Sequence, residues 1–214
     1  MLTPTRLLCL DCDATLSGIE GIDELARLRG PAVLAEVAAM TQSAMDGRIP
    51  IEEVFGRRLD IIKPSRTDVA TIGAIYVANV EPEARAAIAS AKAAGWTPVI
   101  LSAGYTQSIV PLAAHLGIDR IEAVTLKFDA AGNYAGFDRE FPTTRSGGKP
   151  VRVEQLKREF RPVRTVMVGD GVSDLETKPV VDLFVGFGRY ADRPRVREGS
   201  AHFIRSFAEL MPLL

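Results

Sequence analysis

Apolar residues are arranged along this chain in short uninterrupted runs, separated by longer segments with helical spacing. Runs at 7–10, 96–101, 163–168 and 181–185 have the length of single strands and contain few polar residues. Such runs are typical of strands that are buried on both faces of a sheet. The pattern therefore predicts an α/β fold in which helices flank a parallel sheet.

The segment from Gly21 to Tyr76 lacks strand-like alternation and has the spacing of helices instead. Its apolar positions predict four helices, at about 22–28, 33–44, 51–62 and 65–76, and Pro31 suits the first turn of the second. Regular alternation of strands and helices resumes at Pro82. We therefore predict a core of residues 1–16 and 80–214 and an inserted helical domain, a cap, of residues 17–79.

The rest of the chain continues the alternation of helices and strands. It predicts helices at 82–94, 105–116 and 151–160, a hairpin around Gly132, a short strand at 201–204 and a final helix. The segment 186–191 resembles a dinucleotide-binding fingerprint, but Pro194 interrupts the helix that should follow it. We do not assign a nucleotide site there.

Carboxylates follow two of the predicted strands directly. Asp11 and Asp13 come after the first run, and Asp170 and Asp174 come after the run at 163–168. Ligands of open α/β sheets bind just beyond the carboxyl ends of the strands. A metal or phosphate site is one interpretation of these residues, and a loop whose Asp side chains cap a turn is the other.

Two further polar groups fit an anion site. Ser102, with Ala103 and Gly104, lies between a predicted strand and a predicted helix, where a hydroxyl, free backbone N–H groups and the helix dipole come together. Lys149 begins a helix, a position where the dipole favours acidic residues. This mismatch indicates that Lys149 faces an anion, although a solvent-exposed lysine is the alternative.

Together these groups indicate a metal-dependent reaction on a phosphate. Carboxylates that converge on one point repel one another unless a cation neutralises them, and oxygen ligands without His or Cys favour Mg²⁺. Ser102 and Lys149 would then hold a phosphate. One carboxylate would serve as a covalent nucleophile and its neighbour would transfer the proton.

The composition of the chain restricts the cellular environments and the binding partners that we expect for it. The chain has 214 residues and a net charge of −1, which gives no electrostatic reason to expect binding to nucleic acid or membrane. The basic cluster at 189–197 is interpreted as a solvent-exposed face. Cys9 and Cys12 are interpreted as buried, unreactive thiols. Without a visible signal peptide or membrane-spanning stretch, we expect a cytoplasmic protein that acts on a small molecule.

The residues at the strand ends resemble the motifs of the haloacid dehalogenase superfamily. Four motifs of that superfamily occur in order, at 11–15, Ser102, Lys149 and 169–174. The resemblance implies a Rossmann-like parallel sheet core with an inserted helical cap, and phosphatase activity.

The resemblance narrows to the phosphoserine phosphatase family and covers nearly the whole chain from Leu7, without an added N-terminal regulatory domain. It implies hydrolysis of O-phospho-L-serine, a reaction of serine biosynthesis. The stretches that carry it are 20–24, 44–47, 58–59, 126–128, 134–137, 145–149 and 186–188.

The resemblance also implies the roles of individual residues. Asp11 would be the nucleophile that forms an aspartyl-phosphate, and Asp13 the general acid and base. Mg²⁺ would be held by the Asp11 carboxylate, the Asp13 backbone carbonyl and Asp170, with Asp174 in support.

For the substrate, the resemblance implies that Ser102 and Lys149 hold the phosphate. From the cap, Glu20 would meet the ammonium group of the substrate and Arg58 its carboxylate. A surface position for Arg58, paired with Glu53 or Asp60, is the alternative. The other substrate-binding positions implied are Met45, Ala103, Gly104 and Ser173, with packing by Phe55.

Two departures from the family pattern bear on the substrate. Ala103 and Tyr105 stand where the family usually has Gly and Phe, and residues 17–19 lack the polar side chains often present there. A sister phosphatase or a phosphotransferase acting on another small phosphorylated metabolite therefore stays an alternative. A phospho-accepting receiver does not fit, because it lacks both the second Asp and the helical insertion. The sequence gives no basis for predicting the oligomeric state.

Overall fold

The computed structural model describes residues 5–214 and contains a central sheet of parallel strands. The sheet has the strand order β3-β2-β1-β6-β7-β8, which places β1 in the middle. A separate antiparallel hairpin is formed by β4 and β5. The strands are β1 (Arg6–Leu10), β2 (Trp96–Tyr105), β3 (Arg120–Val124), β4 (Leu126–Phe128), β5 (Tyr134–Phe137), β6 (Arg164–Gly169), β7 (Leu183–Phe187) and β8 (His202–Ile204).

Helices cover both faces of this sheet, and four of them form a block between β1 and the remainder of the core. The block consists of α1 (Gly21–Arg27), α2 (Pro31–Met45), α3 (Ile51–Ile62) and α4 (Arg66–Ala78). The helices that follow it are α5 (Ala84–Ala93), α6 (Thr106–Leu116), α7 (Gly148–Phe160), α8 (Val172–Leu175) and α9 (Pro194–Gly199). The predicted α/β fold with an inserted helical cap is confirmed.

Strand β1 is held in register by apolar packing on both faces. Leu8 and Leu10 belong to the hydrophobic cluster on one face, and Leu7 and Cys9 belong to the cluster on the other. All four side chains are at most 1% exposed, and each buried leucine contributes roughly 1.5–3 kcal/mol. This packing fixes the point at which the chain leaves the sheet, so Asp11 emerges at its carboxyl edge.

The chain enters and leaves the cap through two adjacent segments. Ser17 forms isolated bridges with Asp13 and with Val80, and the backbone N–H of Glu81 donates to the carbonyl of Leu16 at 2.9 Å. The Ser17 hydroxyl also donates to the carbonyls of Tyr76 and Asn79, at 3.0 and 3.1 Å. These contacts tie the C-terminal end of α4 to the segment that follows the carboxyl end of β1.

Three element predictions are corrected by the structure. Strand β2 continues to Tyr105, so residues 102–104 are extended strand and not a connecting loop. The segment 120–124 forms β3 of the central sheet instead of belonging wholly to the hairpin. The predicted final helix is replaced by two single 3₁₀ turns, Phe207–Glu209 and Met211–Leu213, because Pro212 lacks the backbone donor that a continuous helix needs.

Both cysteines are free and buried, as predicted. Burial raises the pKa of Cys9 to about 12 and also raises that of Cys12, so neither thiol ionises near neutral pH. Across residues 5–214, the helices are all too short or too polar to cross a membrane.

Candidate active site

A cavity lies between the carboxyl edge of the sheet and the helical cap. All but two of the sequence-predicted site residues line it: Asp174 is buried beside it at 0% exposure, and Phe55 packs edge-on against Tyr105. The cavity also includes Ile22, Ile51 and Tyr105, which the sequence analysis did not assign to the site. The predicted residues in its wall are Asp11, Asp13, Glu20, Met45, Arg58, Ser102, Ala103, Gly104, Lys149, Asp170 and Ser173.

Asp11 occupies the position where β1 ends. Its backbone N–H donates to the Val168 carbonyl at 2.9 Å, which continues the pairing with the neighbouring strand β6. Its Oδ1 accepts from the Cys12 backbone N–H at 2.8 Å and lies 2.8 Å from Lys149 Nζ. The carboxylate is therefore held in a fixed orientation at the floor of the cavity.

Asp13 is buried in a different environment, although it lies only two residues further along. Its Oδ1 accepts from the backbone N–H of Gly21 at 2.7 Å and from the Tyr76 hydroxyl at 2.5 Å. Burial and the nearby Asp11 charge raise the pKa of Asp13 to about 7, against the lowering effect of the two hydrogen bonds. A carboxyl group with this pKa can both donate and accept a proton near neutral pH.

Three buried carboxylates form a candidate metal centre. Oxygens of Asp11, Asp170 and Asp174 all lie within 4.8 Å of one another. Burial and the Asp11 charge raise the pKa of Asp170 to about 6, and the same two causes raise that of Asp174. Oxygen ligands at this spacing, whose mutual repulsion a cation would relieve, fit a hard divalent metal ion.

Lys149 bridges this cluster, and its side chain is only 3% exposed, which excludes the alternative of a solvent-exposed lysine. Its Nζ lies 2.5 Å from Asp174 Oδ1 and 2.8 Å from Asp11 Oδ1. Burial alone would lower the pKa of Lys149, but the two carboxylates outweigh it and raise the pKa. The ammonium group therefore stays charged beside Asp11.

Ser102 faces the same cavity from β2. Its Oγ accepts from the Gly104 backbone N–H at 2.8 Å, and its carbonyl accepts from the Thr143 hydroxyl at 3.0 Å. A Cβ on Gly104 would lie 3.1 Å from both Asp13 Oδ2 and Ser102 Oγ. Glycine at this position keeps open the space between the hydroxyl and the acidic group.

Arg58 enters the cavity from α3 of the cap and is only 4% exposed, which excludes the surface alternative. One terminal nitrogen donates to Thr41 Oγ1 at 3.0 Å, and the Thr41 hydroxyl donates to Asp23 Oδ1 at 2.8 Å. Its Nε is buried without a hydrogen-bond partner. A buried unpaired donor is costly, so an acceptor on a bound molecule would relieve this position.

Glu20 lies at the start of α1, opposite in charge to Arg58. Burial and the charges of Asp13 and Asp170 raise its pKa well above the ordinary value. A nearby cation would favour the ionised form of Glu20, and Arg193 at 3.5 Å supplies part of this effect.

One residue of the basic cluster, Arg193, departs from its interpretation as a solvent-exposed face, whereas Arg189, Arg195 and Arg197 are exposed. The Arg193 side chain is 7% exposed, and its Nε and one terminal nitrogen lie 3.1 Å from Asp170 Oδ2 and 3.2 Å from Asp46 Oδ1. The contact between Tyr76 and Asp13 was likewise not predicted from the sequence. Tyr76 and Arg193 both lie outside the sequence motifs. Tyr76 has only the apolar spacing of a helix, and Arg193 lies in an ordinary basic run.

Comparisons with known proteins identify the family of this chain. The family model of haloacid dehalogenase-like hydrolases matches residues 8–177. The phosphoserine phosphatase of Mus musculus is 36% identical over 205 residues, which cover 95% of this chain and 90% of the mouse protein. The phosphoserine phosphatase of Homo sapiens is 35% identical over the same shares of the two chains. The sequence resemblance is confirmed.

Solved structures with the same fold include two phosphoserine phosphatases. A phospho-aspartyl intermediate analogue of phosphoserine phosphatase has a TM-score of 0.85 at 24% identity and covers 99% of this chain and 100% of that one. A substrate-bound phosphoserine phosphatase complex has a TM-score of 0.86 at 23% identity and covers both chains fully, at 100%. At these identities the likeness shows the shared fold.

Proposed function

Because the chain belongs to the haloacid dehalogenase-like hydrolases and, within them, to the phosphoserine phosphatase family, we propose that it hydrolyses O-phospho-L-serine to L-serine and phosphate. Family membership makes the protein a phosphoric monoester hydrolase. The observation that carries the choice of substrate is that a buried arginine of the cap, Arg58, and a carboxyl group, Glu20, line the same cavity as the core residues.

A zwitterionic substrate accounts for both of these cap residues. The carboxylate of phosphoserine would pair with the guanidinium group of Arg58, and its ammonium group would stabilise the ionised form of Glu20. A sugar phosphate offers neither charge. We assign Met45, Ala103, Gly104 and Ser173, which line the cavity, to the enclosure of the substrate.

The reaction divides into two steps on the residues of the core. In the first, an Asp11 oxygen bonds to phosphorus, the bond to the serine oxygen breaks, and Asp13 gives its proton to that oxygen. In the second, Asp13 takes a proton from water as the water oxygen attacks phosphorus, and Asp11 leaves as a carboxylate. Ser102 and Lys149 hold the phosphate oxygens throughout, because both are buried at the cavity floor.

We propose Mg²⁺ as the metal of this centre, held by the carboxylates of Asp11 and Asp170 and the backbone carbonyl of Asp13, with Asp174 in support. When bound, it would neutralise carboxylate charge and polarise the phosphoryl group. Two buried free thiols and a small-molecule substrate fit a cytoplasmic setting, which we propose as well.

A panel of truncated substrates tests the proposed function. We expect phosphate release from O-phospho-L-serine to exceed that from phosphoethanolamine, which lacks the carboxylate, and from 3-phosphooxypropionate, which lacks the ammonium group. Each truncation removes a charge-assisted contact of about 1.5–3 kcal/mol, so kcat/KM should fall at least about tenfold. Equal rates on all three, or a sugar phosphate as the best substrate, would favour a sister phosphatase instead.

The two acidic residues after β6 should differ in their effect on metal binding. Asp170 lines the cavity, whereas Asp174 is fully buried and bonded to Lys149 and the Gly171 backbone N–H. Asp170→Ala should therefore weaken Mg²⁺ binding by about tenfold or more, and Asp174→Ala by less. Calorimetric titration with MgCl₂ measures both, with Asp119→Ala, whose side chain is 93% exposed, as the control. A larger effect of Asp174→Ala would contradict the assignment.

The stability of the metal-free protein should fall as the pH rises from about 5 to 8. The pKa values of Asp13 and Asp170 are raised from 3.8 to about 7 and about 6, so the folded state holds more protons than the unfolded state in this range. Stability is then lost progressively as these groups ionise. Thermal denaturation at several pH values measures the slope.

Two comparisons isolate the cause of this slope. Adding Mg²⁺ at pH 8 should raise the melting temperature, because the ion binds only the folded site. Asp13→Asn should flatten the pH dependence, because it removes the group with the pKa of about 7. A metal-free melting temperature that stays constant or rises over this range would contradict the prediction.

A further inference from the structure

The phenol of Tyr76 makes a buried contact with the acid-base carboxyl group. Tyr76 lies in α4 of the cap and is 1% exposed. Its hydroxyl lies 2.5 Å from Asp13 Oδ1, and the Gly21 backbone N–H lies 2.7 Å from the same oxygen. Two donors therefore occupy Oδ1, and the carboxyl group cannot rotate without breaking both hydrogen bonds.

The other oxygen of Asp13 is the one that faces the reaction. Oδ2 points toward β2, where a Cβ on Gly104 would lie 3.1 Å from it and 3.1 Å from Ser102 Oγ. Ser102 is one of the residues that we assign to the phosphate. With Oδ1 occupied by donors, the exchangeable proton of Asp13 belongs on Oδ2.

The position of Tyr76 is itself fixed. The Ser17 hydroxyl donates to the Tyr76 carbonyl at 3.0 Å. This bond holds the C-terminal end of α4 against the segment that follows β1. Residue 21 is glycine, and a Cβ there would overlap the Tyr76 hydroxyl. The Tyr76 hydroxyl is the donor of this contact, because the same Asp13 oxygen also accepts from the backbone N–H of Gly21.

We propose that Tyr76 is a positioning residue for general acid catalysis, which holds Asp13 so that Oδ2 delivers its proton to the oxygen of the leaving alcohol. This inference rests on the proposed function, because it takes Asp13 as the acid. The proton moves from Oδ2 to the substrate oxygen as the bond from phosphorus to that oxygen breaks. Tyr76 keeps its own proton throughout and does not contact the substrate.

The requirement for a positioned acid depends on the leaving group. A serine alkoxide is strongly basic and needs the proton, whereas p-nitrophenolate leaves without protonation. Tyr76→Phe keeps the ring and removes only the hydroxyl. It should lower kcat/KM for phosphoserine by about tenfold, a part of the 10²- to 10⁴-fold that general acid catalysis supplies, and change kcat/KM for p-nitrophenyl phosphate by less than about twofold.

The measurement is kcat/KM over a series of aryl and alkyl phosphates with the intact metal-loaded protein. In Tyr76→Phe, kcat/KM should fall more steeply with the basicity of the leaving group than in wild type. Tyr190→Phe is the control, because it removes the hydroxyl of a 39% exposed tyrosine that donates to Glu81 at 2.6 Å and is not bonded to Asp13. Its dependence on the leaving group should equal that of wild type.

The outcomes separate the inference from the proposed function. An equal loss on all substrates in Tyr76→Phe, or an unchanged slope, would overturn the positioning role while leaving the phosphatase assignment intact. Wild-type protein without activity on any phosphomonoester would overturn the proposed function and the inference together. A thermal melt of each variant shows whether a uniform loss comes from unfolding.

Discussion

Asp11→Asn should abolish turnover of phosphoserine, with kcat lower by more than about 1,000-fold. The amide is nearly the same size as the carboxylate but cannot attack phosphorus. The lost activity should not come from unfolding, because the substitution removes one of the carboxylates that repel one another in the cluster of Asp11, Asp170 and Asp174. Activity above a trace in this variant would exclude Asp11 as the nucleophile.

Acid quench of the reaction with ³²P-labelled substrate tests the same step directly. Wild-type protein should yield a labelled phosphoprotein, and Asp11→Asn should yield none. Asp13→Asn is the matched control, since it neutralises a carboxyl group two residues away and leaves the nucleophile in place. With p-nitrophenyl phosphate this variant should accumulate label, because the leaving group needs no acid while the hydrolytic step lacks its base.

Arg58→Ala should lower kcat/KM for phosphoserine by about 10- to 150-fold, the value of a charge-assisted contact of roughly 1.5–3 kcal/mol. The variant removes the donors that would meet the substrate carboxylate, including the buried Nε without a partner. Its kcat/KM for p-nitrophenyl phosphate, which has no carboxylate, should hardly change. Steady-state kinetics on the two substrates gives the comparison.

The neighbouring Arg57 provides a control on the same helix. Its side chain is 66% exposed, and it pairs at 3.6 Å with Glu36, so Arg57→Ala should leave both substrates within about twofold of wild type. Equal losses on both substrates in Arg58→Ala, or none on phosphoserine, would show that Arg58 does not recognise the amino acid. The protein would then still be assigned as a phosphatase, but phosphoserine would no longer be assigned as its substrate.

The sequence by itself located five strands of the central sheet, β1, β2, β6, β7 and β8, and the residues that follow them. Runs such as 7–10 can only be buried on both faces, and a carboxylate directly after such a run must lie at the edge of the sheet. Asp11, Ser102 and Asp170 were assigned in this way, because parallel strands carry their ends to one edge whatever the order of the strands. Local patterning is sufficient for predictions of this kind.

The sequence was less informative about the ends of the strands and about the two 3₁₀ turns at the C-terminus. Strand β2 runs beyond its apolar stretch to Tyr105, because Tyr105 pairs with Val124 of β3 after a shift in register, and the Ser102 carbonyl accepts from the Thr143 hydroxyl. The hydroxyl of Thr143 comes from a part of the chain 41 residues away. No local pattern records such a partner.

Only the tertiary structure decided how the cap residues meet the core. The contact of Tyr76 with Asp13 spans 63 residues of chain, and that of Arg193 with Asp170 brings a residue of an ordinary basic run into the site. The sequence left open whether Arg58 is exposed or buried, and only the fold shows that it is buried and bonded to Thr41. Each of these polar groups is buried, so its role is set by the partner that the fold supplies, and a partner distant in sequence leaves no periodic signal in the chain.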